Sequence, residues 1–172
     1  MSVFDQIVNW GPFSRVRRNH ALEHATLQVL AEKDKGLRMA GYSDANGFWL
    51  VGEIETERVE NAAREALSRL QGGESNLAIH PHCGTNLVTQ GFLAGGFAWL
   101  GMMGAGNRFR DKIERLPMVI SLVTLAMIFA QPIGPMVQQK VTTSAAAQNL
   151  QILKVERVQR GNTPLTRVTT RS

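Results

Sequence analysis

Two stretches of this 172-residue chain carry no charged side chain at all. They are residues 85–106 and 118–139. At about 1.5 Å per residue, each is long enough to cross a hydrocarbon core of about 30 Å. A helix in lipid satisfies its own backbone polar groups, so an uncharged run of this length predicts a membrane span. The charged connector 107–117 is too short for anything but an antiparallel turn. The expectation is therefore a two-helix transmembrane hairpin over 85–139, with water-soluble parts on either side. The first span contains Gly91, Gly95, Gly96, Gly101 and Gly104. Its Gly91-x-x-x-Gly95 face lets another helix approach closely, either the second span or the same helix of another copy. The second span ends in Gln131-Pro132-Ile133-Gly134-Pro135, which predicts a kink or a stop.

The flanking sequence is ordinarily polar. Residues 1–84 predict a small α+β domain in the order helix, hairpin, helix. Asn19 is suited to cap a helix from His20 to Lys33, closed by Asp34-Lys35-Gly36. Residues 37–43 and 47–54 read as strands joined by the turn residues Asp44-Ala45-Asn46-Gly47. Residues 56–71 form an amphipathic helix with Val59, Ala63, Ala66, Leu67 and Leu70 on one stripe, stopped by Gly72-Gly73. Residues 76–79 read as a short strand. After residue 140 the chain is soluble again, and 150–160 and 163–170 predict a C-terminal β-hairpin with Gly161-Asn162 in its turn. The domain reading is thus 1–84 soluble α+β, 85–139 transmembrane hairpin, and 140–172 β-rich C-terminal segment.

Charge narrows the partners. The net charge is +5 and the sequence pI about 10. Lys and Arg are dispersed, with one cluster at 15–18, so nucleic-acid binding is not expected. Basic residues beside a membrane meet anionic head groups. Residues 1–14 lack the charged and apolar regions of a secretory signal. Val3, Phe4, Ile7, Val8 and Trp10 recur at helical spacing, which suits a short amphipathic helix on the bilayer or docked on the domain. A single cysteine forms no internal disulfide. The connector's basic residues favour a cytoplasmic connector, while the free cysteine and Arg15, Arg17 and Arg18 favour cytoplasmic soluble parts. The reading adopted is a cell-membrane protein whose soluble parts face the cytoplasm.

The chemistry is concentrated. All four histidines and the only cysteine lie in two runs, His20-Ala21-Leu22-Glu23-His24 and His80-Pro81-His82-Cys83-Gly84-Thr85. His20 and His24 are one helical turn apart on the same face, a geometry that lets two imidazoles reach one ion. The run reads H-x-x-E-H, the inverted zinc-protease motif. In zinc hydrolases a glutamate placed like Glu23 takes a proton from water activated by the metal. A catalytic zinc site needs a third protein ligand and an open fourth position. His80, Cys83 and His82 are the candidates for the third. Cys83 precedes the first span, where helix N-terminal amides favour the thiolate. The bland alternatives are a surface helix with two histidines and a tight turn with a structural cysteine.

The pairing of H-x-x-E-H with a downstream H-P-x-C-G-T resembles the YqhQ-type family of bacterial membrane proteins. The matching positions are His20, Glu23, His24, His80, Pro81, Cys83, Gly84 and Thr85. The chain also resembles a smaller bacterial family, of domain-of-unknown-function type, with both motifs ahead of a membrane hairpin. The resemblance implies a metal-dependent enzyme. It departs from the YqhQ type at His82, where Arg or Asn is more usual, and in the insert 37–71 between the motifs.

The expected function is a membrane-anchored zinc hydrolase, a peptidase acting on a peptide or membrane-protein segment, with Glu23 as general base. His20, His24, His80 and Cys83 are its metal-ligand candidates. The alternatives are a non-catalytic metal-binding protein, a Cys83 nucleophile, and an adaptor. Self-association through the glycine-rich helix is compatible with each.

Overall fold

A computed structural model describes residues 3–161 and 163–172. Among the described residues it contains five α-helices and a four-stranded antiparallel sheet. The chain divides into two compact units, residues 1–80 with 139–172, and residues 81–138.

The first unit is built on a long helix, α2 (Gly11–Lys33), preceded by the short α1 (Val3–Val8). α2 starts a full two turns before the expected His20. Pro12 lies in its first turn, where a missing N–H costs nothing and a fixed φ favours helix. Asn19 is therefore not a cap. It is buried in mid-helix, where its amide donates to Asp44 O (2.8 Å) and its carbonyl accepts from Thr170 Oγ1 (2.6 Å). Arg17, expected in a surface basic cluster, is also buried. Its guanidinium donates to the carbonyls of Val8, Lys140 and Thr143 and ties two segments, α1 and the stretch 140–143, to α2. Burial, with Arg18 beside it, pulls its pKa below the ordinary value. Val8 docks inward, whereas Val3, Ile7 and Trp10 stay exposed.

The hairpin comprises β1 (Ala40–Asp44) and β2 (Gly47–Val51), a few residues shorter than expected at its outer ends. Gly47 has φ +141 and faces the Val168 carbonyl so closely that no side chain fits there. α3 (Thr56–Gln71) has the expected bounds, and Val59, Ala63, Ala66 and Leu70 of its apolar stripe are buried. Residues 75–78 form a 3₁₀ turn (Ser75–Ala78), not a strand, because no neighbouring strand edge takes up their backbone bonds.

β3 (Gln151–Arg160) and β4 (Thr163–Arg171) pair as the expected hairpin. Asn162, assigned to its turn, lies outside the described residues, as do Met1 and Ser2 at the amino terminus. The hairpin does not stand apart. β4 pairs along β2, giving the order β1-β2-β4-β3, so the segment after residue 140 completes the sheet of the first unit. The physical reason lies in β2, which buries Phe48 and Leu50 in the core and whose second edge must be paired. Leu22, Ala25 and Val29 of α2 meet Phe48, Leu50 and Val168 of the sheet and the stripe of α3 in one core. A large side chain fully buried there contributes about 1.5–3 kcal/mol.

The second unit pairs α4 (Gly84–Met102) with α5 (Phe109–Val137). Asn86 meets Gly134 and Gln138 near the end of α5, while Gly101 meets Val119 and Leu122 near its start, so the two run antiparallel. α5 begins inside the expected connector, with Asp111 accepting from the Arg108 amide. It passes Pro132 and Pro135 and loosens only into a π turn (Gln138–Thr142). Proline is tolerated there as it is in membrane helices, whose neighbours re-satisfy the freed carbonyls. Among the described residues one helix, Phe109–Thr142, is long and apolar enough to cross a membrane. α4 does not meet that measure, since five glycines with Asn86, Thr89 and Gln90 dilute its apolarity. Gly91 and Gly95 do not face α5, as packing between the two helices would require: a methyl at either would meet nothing within 4 Å. At 3.6 residues per turn they lie roughly 80–120° around the helix from Gly101, the glycine in close contact with α5.

Candidate metal centre

α2 delivers the first motif. His20 and His24 stack one turn apart, with ring centroids separated by 4.2 Å and planes tilted by 58°. His24 is buried and His20 partly so. His24 Nδ1 lies 2.8 Å from Ala78 O, and His20 Nδ1 lies 3.0 Å from Thr142 O. A carbonyl only accepts, so each Nδ1 carries a proton, and in the neutral ring that leaves the lone pair on Nε2. A histidine that ligates a metal through Nε2 is held in this way by a partner on its other nitrogen.

The 3₁₀ turn delivers His80, whose ring centroid is 5.6 Å from that of His24. Three residues on, Cys83 caps α4, and its Sγ accepts from the Thr85 amide at 3.4 Å. The donor atoms of His20, His24 and Cys83 lie within 4.8 Å of one another, close enough to hold a metal ion. His82 is exposed. Imidazole nitrogens and a cysteine sulfur are a borderline-soft donor set that suits zinc and does not suit magnesium or calcium.

Glu23 does not extend into solvent. It is 3% exposed and turns toward β1, where Oε2 accepts from Ser43 Oγ at 2.5 Å. Gly41 leaves the room it occupies: a methyl there would lie 2.6 Å from Glu23 Oε1. Ser43 and Gly41 alternate on β1 with Tyr42, so both face α2. The hairpin insert between the two motifs is therefore the seat of the carboxylate. Sequence reasoning did not single out either residue. The one available signal was a pair of small residues at alternate positions of a predicted strand.

The turn of the hairpin is fixed separately. Arg167 clasps Asp44 with two bonds of 2.8 and 2.9 Å and lies over the Trp49 ring at 4.8 Å. The Arg167 guanidinium holds the Asp44 carboxyl below its usual pKa, against the effect of burial. Asp44 O is also the acceptor for Asn19, one residue before His20. The first motif and the hairpin are thus bound together at this point.

The sequence model of the DUF6391 family, described as a domain of unknown function, matches residues 15–155. That span includes both motifs, α4 and α5. An uncharacterised protein of the cyanobacterium Picosynechococcus sp. is 36% identical over 143 residues. The match covers 75% of this chain and 66% of that protein, so the chain spans just under two thirds of its relative's length. No solved structure matches.

Proposed function

The chain belongs to the DUF6391 family, and we propose that it is a membrane-anchored, zinc-dependent hydrolase acting on peptide segments at the membrane surface. The observation that carries the reading is the convergence of the His20, His24 and Cys83 donors; Glu23, on the same helix, is buried and held by Ser43. His20 and His24 present Nε2, and Cys83 presents its sulfur. Three protein ligands leave a fourth position for water or substrate. Zinc bound there would supply Lewis acidity and activate water for attack. Glu23 is the general base: Ser43 orients its carboxylate through Oε2, and Oε1 lies over Gly41. The likeness of the two motifs to the YqhQ-type family supports metal-dependent chemistry.

α5 is the anchor in this reading, and α4 crosses beside it. The absence of charge on α4 and the exposure of Leu87, Val88, Phe92 and Trp99 support that pairing in lipid. The open Gly91 and Gly95 face supports self-association of the same helix. The basic N-terminal residues and the single cysteine, which forms no internal disulfide, support cytoplasmic soluble parts. The test is Glu23→Gln in protein that retains its zinc. Peptide hydrolysis falls by at least about 100-fold if Glu23 is the base. Wild-type turnover in that variant would remove the assignment.

A second reading rests on the approach of His80 to His24. With His80 as fourth ligand the site would be closed and structural, and Glu23→Gln would be harmless. The spectrum of the cobalt-substituted protein separates the two. Exchangeable water on the metal supports the open site, and its absence the closed one.

A further inference from the structure

The motif face of α2 continues one turn beyond the histidines. Gln28 follows His24 by four residues and His20 by eight. Its amide nitrogen donates to Leu77 O and to Ile79 O, each at 2.9 Å. Between those two acceptors is Ala78 O, the partner of His24 Nδ1 at 2.8 Å. Three successive carbonyls are therefore taken by two side chains of α2 one turn apart. They belong to the end of the 3₁₀ turn, which cannot satisfy its own last carbonyls. The next residue is His80.

We propose that Gln28 is a positioning residue of the metal centre. By clamping Leu77 and Ile79 it aims Ala78 O at His24 and keeps that ring in the Nδ1–H tautomer, with Nε2 available to the metal. It also anchors the start of the run that leads to His80 and Cys83. The inference deepens the zinc reading and rests on it. The residue type fits the task. A primary amide offers two N–H donors without charge, one for each carbonyl. Methionine has the same reach and no donor, and asparagine keeps the amide but withdraws it by one methylene. Lysine restores donors at the end of a chain of similar length. Partners of a metal-bound histidine alter affinity by about 10–100-fold when removed.

The experiment uses full-length protein in detergent. Histidine ¹⁵N shifts of the metal-free form report the His24 tautomer, and chelator competition with zinc alone reports affinity. In wild type His24 is Nδ1–H. Gln28→Met populates the Nε2–H form and weakens zinc by about 10–100-fold, Gln28→Asn lies between, and Gln28→Lys recovers most of both. A residue that only stabilised the fold would lower the unfolding midpoint and leave the tautomer and affinity unchanged. Wild-type tautomer and affinity in Gln28→Met, or in Gln28→Asn should the methionine variant not fold, overturn the proposal. If wild type binds no zinc while Gln28→Met still shifts the tautomer, the clamp stands and the zinc reading alone falls.

Discussion

Gly41→Ala measures how tightly Glu23 is seated. The new methyl would lie 2.6 Å from Oε1, 2.9 Å from Cδ and 3.0 Å from Cγ of Glu23. Unstrained carbon–oxygen contacts begin near about 3.3 Å, so one side must retreat by roughly 0.7 Å. Glu23 cannot escape to water, being 3% exposed, and its retreat strains the bond from Ser43. Overpacking a core costs about 1–3 kcal/mol. Losing a hydrogen bond to a buried charge costs about 1.5–3 kcal/mol. Removing a glycine from a strand returns about 0.5–1 kcal/mol. The net expectation is a loss of roughly 2–5 kcal/mol. Urea unfolding of the metal-free protein in detergent measures it, in wild-type and in Glu23→Ala backgrounds. Glu23→Ala removes all three clashing atoms, so there Gly41→Ala becomes neutral or stabilises by up to about 1 kcal/mol. The cycle yields a coupling of at least about 2 kcal/mol. An equal cost in both backgrounds would refute the seat.

Further outcomes follow from contacts around the hairpin. Asn19→Ala abandons Asp44 O and Thr170 Oγ1 in a buried position and lowers stability by about 1–3 kcal/mol. It is read as a lower urea midpoint at unchanged slope, and a wild-type midpoint contradicts it. The Asp44 carboxyl, depressed by Arg167, contributes stability that is complete above the unfolded value of about 3.9 and is lost as pH falls through the lower folded value. The gap in thermal midpoint between wild type and Asp44→Asn therefore closes in acid. Because 44% of the Asp44 side chain is exposed, it amounts to about 1 kcal/mol at most. A gap that stays constant down to about pH 2 would contradict the ion pair.

Local signals were legible where they were sufficient. α3 could be read from its stripe, and β1–β2 from the turn residues between them. The C-terminal hairpin was legible for the same reason, but its attachment to β2 was not, since pairing across more than a hundred residues leaves no mark on local periodicity. The start of α2 at Gly11 was hidden because Asn19 offered a nearer cap, although Pro12 suits a first helical turn. Asn19 has the chemistry of a cap, and only tertiary contacts reveal that it faces inward. In the site, His20 and His24 follow from i, i+4 spacing alone. Ser43, Gly41 and Gln28 are ordinary residues whose roles depend on what the fold sets beside them. For Gln28 a faint trace existed, as the third polar residue in the series 20, 24, 28. The glycine stripe of α4 could be seen, but not which way it faces.

Metal content decides whether the two motifs form a metal centre. Full-length protein is purified in detergent from cells grown with zinc and analysed by plasma mass spectrometry beside a His20→Ala/His24→Ala variant. The predicted result is about one zinc per wild-type chain and none in the variant. A folded wild-type preparation holding no metal would contradict the metal centre.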